Sequence, residues 1–267
     1  MTTNHVEASD LTVALADLAV AAPPGLAGRV LAEVGLADHY ARIDSPIGPL
    51  FVAWNGRGVS SVVSAAGGAS TFEADHRART GRPATATTSL PPRLARAIAR
   101  RLGGDRRARV PLDLRGHTDF EQDVWRAALQ IPRGEVRPYG WVAAEIGRPK
   151  AVRAVGTALG HNPVPLIVPC HRVVRTDGML GQYSLGGAEN KRRILAAEGA
   201  DPDALEGAAR RGERLSGSRT TRIFCWPSCR HARRVLPQYQ VRFRSFRDAE
   251  AAGYRPCRVC RPVSVAA

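Results

Sequence analysis

Between residues 50 and 64 the chain reads LFVAWNGRGVSSVVS, two apolar and β-branched runs around a polar Asn-Gly-Arg-Gly break. That pattern predicts a hairpin, with strands at 50–54 and 59–64 and a turn at 55–58. Downstream the apolar spacing lengthens to the helical period. TFEADHRARTG (71–81) and PPRLARAIARRLGG (91–104) predict helices, the second entered through Pro91 and Pro92 and stopped by Gly103 and Gly104. RVPLDLRG (109–116) predicts one more strand, and residues 11–36 predict two short helices around APPGL. Residues 40–115 together predict a small α+β domain.

The pattern changes near residue 116. Thr118 and Glu121 have the spacing of a capping box. Phe120, Val124, Ala127, Ala128 and Ile131 mark one face of a helix stopped by Pro132 and Gly134. YGWVAAEIG (139–147) and RPKAVRAVGTALG (148–160) predict two short helices across a tight Gly-Arg-Pro turn. A helix-turn-helix is one reading, an ordinary helical hairpin the other. The second helix sets basic Lys150 and Arg153 beside small Ala154, Gly156 and Ala158. Such a face suits close approach to a nucleic-acid backbone; the small residues equally suit packing inside the protein. In HNPVPLIVPCHRVV (161–174), Pro163, Pro165 and Pro169 exclude helix and predict an extended, buried segment. RTDG (175–178) predicts a turn, GQYSLGG (181–187) a glycine-rich loop, and AENKRRILAAEG (188–199) a last helix. Glu198 falls in its final turn, where the helix dipole disfavours an acid, so it is expected to have a partner elsewhere.

Composition narrows the class. A chain of 267 residues suggests about two domains, and 44% hydrophobic residues are enough to build real cores. No apolar run approaches the ~20 residues of a membrane span, and no signal peptide opens the chain. No membrane partner and a cytoplasmic address are therefore expected. The formal net charge of +15 is unevenly placed: residues 210–267 hold fourteen arginines against three acids. Arginine-heavy coding would explain arginine over lysine but not the scarcity of acids. A polyanionic partner, nucleic acid, is the better reading.

The five cysteines divide into Cys170 alone and the group Cys225, Cys229, Cys257 and Cys260. The group's spacing, C-x3-C, a gap of 27 and C-x2-C, predicts one tetrahedral zinc site. A lone buried cysteine is more often packing than chemistry. Here His171 follows it, Glu198 is an acid in need of a partner, and a glycine-rich loop lies between. A histidine held by a carboxylate can take the proton from such a thiol. From the residues alone the two readings stand level. A cysteine hydrolase built on Cys170, His171 and Glu198 is a third, without an oxyanion-hole signature.

PCHRVV, with GHNPVP before it and GQYSLGG…K…EG after it, resembles the O6-alkylguanine-DNA alkyltransferase family, densely over 118–199 and thinly over 40–115. The resemblance implies an overall α+β protein. After an N-terminal extension (1–39) would come a ribonuclease-H-like α/β domain (40–115). A helix-turn-helix, winged-helix-like catalytic domain (116–199) would follow. It implies a monomer acting on double-stranded DNA with alkylated bases, and transfer of the alkyl group from O6 of guanine (or O4 of thymine) to Cys170, once per molecule. His171 would act as base through a water, Glu198 would orient it, Tyr139 would protonate the departing base and Asn162 would brace the turn. Arg153 would fill the gap left by the extruded nucleotide, with Lys150, Ala154 and Gly156 along the minor groove. Pro165, Tyr183 and Ser184 would line the pocket. Because O6 lies inside the duplex, the base must be flipped out. His161 departs from the arginine or glycine common in relatives, and Leu185 lengthens the loop before Gly186. No cysteine stands in 1–169, so the first-domain zinc of some relatives is not expected.

RTTRIFCWPSC…RSFRDAEAAGYRPCRVCRP resembles the zinc domain of bacterial Ada proteins. It implies a linker (200–218) and then a small α+β zinc module (219–267) with Cys225, Cys229, Cys257 and Cys260 as ligands. It also implies Cys225 as a second acceptor, taking methyl from a backbone methylphosphotriester. A purely structural or DNA-clamping zinc module is the alternative. Trp226 replaces a common arginine beside that cysteine. For the whole chain, the rival reading is a damaged-DNA-binding or regulatory protein without transfer; in binders of that kind the acceptor cysteine is replaced.

Overall fold

The computed structural model describes residue 23 and residues 25–264. Helix α1 (Leu26–Glu33) and strand β1 (Asp38–Ile43) come first, followed by the expected hairpin of β2 (Leu50–Asn55) and β3 (Gly58–Ser64). Helix α2 (Gly68–Thr80) leads to β4 (Ala84–Ala86), which pairs parallel to β1. The sheet order is β3-β2-β1-β4. Gly58 makes the hairpin possible: at φ +140° it lies against Pro111, where a Cβ would meet backbone at 2.4 Å. Phe72 of α2 packs on Tyr40 and Phe51, with ring centroids 4.6 and 5.2 Å away. Helix α3 (Pro92–Leu102) buries Ile98.

The strand expected at 109–116 does not form; only Leu112 bridges Val59. Pro111 has no N–H for a ladder, and Asp113 turns its carboxylate inward to Asn55 and Arg115. Of the two helices expected within 11–36, α1 is seen, and residues 11–22 lie outside the described residues. The Ala32 carbonyl of α1 accepts the Gly56 N–H at 2.9 Å, so part of the expected 1–39 extension belongs to this domain.

Helix α4 (Asp119–Ala128) starts at the capping box: Thr118 Oγ1 accepts from Glu121 N and the Glu121 carboxylate accepts from Thr118 N. Strand β5 (Arg137–Pro138) leads into α5 (Tyr139–Glu145), and α6 (Val152–Gly160) completes the helix pair. Helix α6 starts later than expected. Gly147, at φ +70°, and Pro149 build a turn closed by Ala151 N–H on Arg148 C=O at 2.9 Å, so Pro149 and Lys150 precede the helix. Trp125, fully buried, donates Nε1–H to the Ala158 carbonyl at 2.8 Å and fixes α4 on α6. Ala158 therefore serves packing.

Residues 162–174 are buried as expected, but up to Arg172 they are not extended. Val168 N–H bonds Val164 C=O at 3.0 Å, Leu166 sits at φ +72°, and Cys170–Arg172 form a 3-10 turn. The prolines deny this segment the N–H groups of a ladder, and the Asn162 side chain supplies partners to its backbone instead. Strand β6 (Val173–Val174) then pairs parallel with β5, and α7 (Gly187–Ala197) follows the glycine-rich loop.

The stretch 200–218 is folded, not a linker. Asp201 caps helix α8 (Pro202–Arg210), and β7 (Leu215–Ser218) lies inside a second sheet. That sheet is completed by β8 (Ile223–Cys225), β9 (Gln240–Phe243) and β10 (Arg255–Pro256), in the order β10-β8-β7-β9, with helix α9 (Phe246–Ala251) beside it. Gly217 lets Phe243 and Tyr254 close over β7; a Cβ there would lie 2.7 Å from the Phe243 ring. One apolar core runs from Leu50 through the helical module to the cysteines of the second sheet. The whole is a mixed α+β protein. No helix among the described residues is long and apolar enough to cross a membrane.

Candidate active site and metal centre

Cys170 opens the 3-10 turn and is only 6% exposed. Asn162, also buried, donates Nδ2–H to Cys170 Sγ at 3.1 Å and to Val168 C=O at 3.0 Å, while its Oδ1 accepts Val164 N–H at 3.1 Å. One amide thus shapes the turn and faces the sulfur. Burial pushes the Cys170 thiol above its ordinary value, against the opposing pull of Asn162 and of the Lys191 charge. At neutral pH the sulfur holds its proton and needs a base.

His171 is fully buried and its Nε2 lies 3.0 Å from Glu198 Oε1. Arg172 grips the same carboxylate through Nε at 2.8 Å and Nη2 at 2.6 Å, and donates Nη1–H to the Ile131 carbonyl at 2.8 Å. Burial works to raise the Glu198 carboxyl, but the hydrogen bonds from His171 and Arg172 outweigh it and hold it near 2. The acid is an anion, so the Nε2 facing it carries the proton. His171 Nδ1 is then the basic nitrogen, and it has no hydrogen-bond partner among the described residues. Burial also pulls the imidazole below its ordinary value, so it is neutral and able to accept a proton. The position of Glu198 against the helix dipole is answered by Arg133, whose guanidinium donates to the Ala197 and Glu198 carbonyls.

The remaining expected residues divide between this centre and the surface. Tyr139, first residue of α5, is held above its ordinary value by burial and by the Cys170 sulfur, which keeps its hydroxyl protonated. Tyr183 is buried, with its ring 6.1 Å from His171 and its hydroxyl unpartnered among the described residues. Pro165 is buried and Ser184 exposed. On α6, Arg153 and Ala154 face outward, Gly156 is half-buried with Tyr139 Cε1 4.0 Å from where its Cβ would be, and Lys150 is exposed in the preceding turn. His161 bonds Glu121 at 3.2 Å, and Leu185 is buried, so the lengthened loop is anchored in the core.

Two residues of the centre were not singled out from the sequence. Arg172 and Lys191 both stand inside the quoted motifs, PCHRVV and GQYSLGG…K…EG, with no role given to either. Lys191 is buried, donates to the Val173 and Leu180 carbonyls at 2.6 Å each, and is brought down to about 8 by burial against the pull of Cys170. For Arg172 the available signal was a charged residue inside a segment expected to be buried, since such a group needs partners.

In the second sheet, Cys225, Cys229, Cys257 and Cys260 are all buried, and their Sγ atoms lie within 4.8 Å of one another. Tetrahedral zinc with Zn–S of ~2.3 Å needs sulfurs about 3.8 Å apart, so the four side chains can close on that ion with shifts of about 1 Å or less. No disulfide links them. Cys225 and Cys257 line a cavity of about 320 Å³ with Thr221, His231, Arg255 and Arg258, whereas Cys229 and Cys260 are fully buried. Trp226 is buried beside Val136, Pro138 and Val174 of the helical module, which accounts for an apolar ring in place of an arginine.

The profile described as 6-O-methylguanine DNA methyltransferase, DNA binding domain, matches residues 119–200, and the metal binding domain of Ada matches 207–263. The second match begins inside the stretch that reads as a linker and folds as α8 and β7. Over 160 residues the chain is 43% identical to the methylated-DNA–protein-cysteine methyltransferase of Mycobacterium tuberculosis, covering 60% of this chain and 92% of that protein. It is 37% identical over 164 residues to the bifunctional transcriptional activator/DNA repair enzyme Ada of Escherichia coli, covering 61% of this chain and 46% of that protein. The crystal structure of Mycobacterium tuberculosis OGT in complex with DNA superposes with a TM-score of 0.50 at 40% identity, over 62% of this chain and 98% of that one. With a buried thiol, a neutral imidazole and a held carboxylate in one cluster, the chain belongs to the methylated-DNA–protein-cysteine methyltransferases.

Proposed function

We propose that the chain repairs double-stranded DNA by moving the alkyl group of O6-alkylguanine, and of O4-alkylthymine, to Cys170. One observation carries this reading: His171, next in the chain to the buried Cys170 thiol, is fixed by Glu198 through Nε2 while its basic Nδ1 has no partner among the described residues. His171 Nδ1 takes the Sγ proton, through a water, and Asn162 steadies the resulting thiolate. The sulfur attacks the alkyl carbon, the carbon–O6 bond breaks, and the electron pair leaves with the base, which Tyr139 protonates. The product is a thioether, so each chain acts once. Arg153 enters the duplex in place of the flipped nucleotide, with Lys150, Ala154 and Gly156 against the backbone. Pro165, Tyr183 and Ser184 wall the base pocket. The protein works as a monomer in the cytoplasm.

The sheet order β3-β2-β1-β4 with a parallel β1–β4 pair supports a ribonuclease-H-like first domain up to about residue 115. A helix-turn-helix catalytic domain follows to 199. The zinc module begins before 219, since β7 is part of its sheet.

The four cysteines hold one zinc ion, which when bound lowers the thiol pKa values and leaves electron-rich sulfurs. Cys225 is the ligand offered to DNA, as the resemblance to Ada implies; the arginine-lined cavity that reaches it and Cys257 leaves Cys229 and Cys260 behind. Its sulfur takes the methyl of a methylphosphotriester; the O–CH₃ bond breaks and a phosphodiester anion leaves. Peptide mapping after incubation with each lesion tests both acceptors. Methyl on Cys170 from O6-methylguanine and on Cys225 from methylphosphotriester DNA is expected. An unmodified Cys225 in zinc-loaded protein would leave that module a DNA clamp.

A further inference from the structure

The two cysteine knuckles of the zinc module, or the residues next to them, carry several of its contacts with the alkyltransferase module. In the first knuckle, between Cys225 and Cys229, Trp226 shares a cavity of about 40 Å³ with Val136, Pro138 and Val174. Ser228 Oγ accepts Val136 N–H at 2.9 Å and donates to Val136 C=O at 3.1 Å. Just beyond, Arg230 N–H bonds Glu135 Oε1 at 3.0 Å. Arg261 directly follows the second knuckle and stands at φ +45°, a conformation that persists in a non-glycine residue only where its surroundings fix it. Its guanidinium bonds Glu145 Oε2 at 2.5 Å and Gln130 Oε1 at 3.0 Å. It also lies 5.9 Å from the Trp141 ring, which Arg137 approaches at 5.8 Å.

These contacts converge on β5 and α5. Arg137 and Pro138 pair with Val173 and Val174, so β6, which starts two residues after His171, is held from the same side. Pro138 immediately precedes Tyr139. Arg137 and Glu135 are paired and both fully enclosed, one element removed from Cys170.

We propose that the zinc module is a positioning element for transfer at Cys170: Trp226 and Arg261, beside its two knuckles, hold β5 and α5 and through them the Tyr139 hydroxyl. The inference rests on the roles given above to Cys170 and Tyr139. Neither Trp226 nor Arg261 touches the reacting atoms; both act through the backbone that carries Tyr139. Misplacing a catalytic group by about 1 Å slows reactions up to roughly a hundredfold.

The test uses the full, zinc-loaded chain and its Trp226→Ala, Arg261→Ala and Arg261→Lys variants. Four quantities are measured: the transfer rate at saturating O6-methylguanine duplex, the duplex Kd, zinc per chain, and amide hydrogen exchange across 137–145. In both alanine variants the saturating rate should fall roughly ten- to a hundredfold. The Kd should stay within about twofold, and exchange across 137–145 should rise. Arg261→Lys, which keeps a charge for Glu145, should recover most of the rate. Unchanged saturating rates in both alanine variants would overturn the proposal, as would a loss in Arg261→Ala that Arg261→Lys does not repair. If Trp226→Ala sheds its zinc, the two Arg261 variants decide alone. Absence of transfer in the unsubstituted chain would instead defeat the assignment of Cys170, and unchanged exchange in Arg261→Ala would still overturn the positioning role.

Discussion

Cys170 has one side-chain donor, Asn162, at its sulfur, whereas Cys225 shares its surroundings with three other thiols. Both are buried, and burial alone would keep either protonated and inert. Their neighbourhoods answer that in opposite ways. Around Cys170 the structure assembles a neutral base and an anion fixed by Arg172, so the thiol is ionised only when a proton is moved. Around Cys225 it assembles four sulfurs that a single cation can ionise together. The first centre depends on one proton path, the second on one ion. Losing the path should cost chemistry first, and losing the ion should cost fold first.

Metal removal should give the largest effect. Structural zinc in small modules is worth ~10–16 kcal/mol in apparent folding free energy. Chelation or Cys260→Ser should therefore abolish amide protection in β7, β8 and β9 while β1–β3 stay protected. A second sheet still protected without zinc would break the contrast between the two centres. Next comes Glu198→Ala, which leaves Arg172 and His171 buried without their anion. A loss of ~3–5 kcal/mol is expected from a broken buried pair, read by denaturant unfolding. Transfer should also slow by at least about a hundredfold as general-base help is lost.

The same carboxylate sets an acid limit. Its folded value, about 2, lies below the ordinary 4.5, so its contribution is complete above 4.5 and is lost as the pH falls toward 2. Thermal melts across that window should fall more steeply for the unsubstituted chain than for Glu198→Gln. The smallest effect concerns the thiol itself. Cys170, held above its ordinary value, should react with iodoacetamide more slowly than a free thiol at neutral pH and gain rate into the alkaline range. Asn162→Ala removes a donor to the sulfur and should slow it further, by up to about tenfold. A faster Asn162→Ala would show that the amide restrains the thiol rather than activating it.

Features set by neighbours in sequence were legible. The hairpin needed only its Asn-Gly-Arg-Gly turn, and the Thr118–Glu121 box closes within one helical turn. Cys170, His171 and Glu198 were legible as a motif with roles, whereas Arg172 and Lys191, letters of the same motifs, carried none. Their carboxylate and carbonyl partners come from 26 and 18 positions away, and only tertiary packing turns an exposed-looking charge inward. Prolines at 163, 165 and 169 argued correctly against helix, yet the Asn162 side chain and the Leu166 conformation bent the segment into turns rather than a strand. Residues 215–218 read as linker because one leucine followed by three small or polar residues carries little strand signal; Gly217 is there because two aromatic rings close over it. The zinc spacing was legible, but the burial of Trp226 against Pro138 required both modules.

If the lesion consumes Cys170 once, intact-mass analysis of the full chain with excess O6-methylguanine duplex will register it. The expected result is a plateau at one added methyl group, on Cys170, absent in Cys170→Ala and slow in Glu198→Gln. A folded, zinc-loaded chain that binds the duplex and gains no mass, or a Cys170→Ala variant that gains as much, would contradict it.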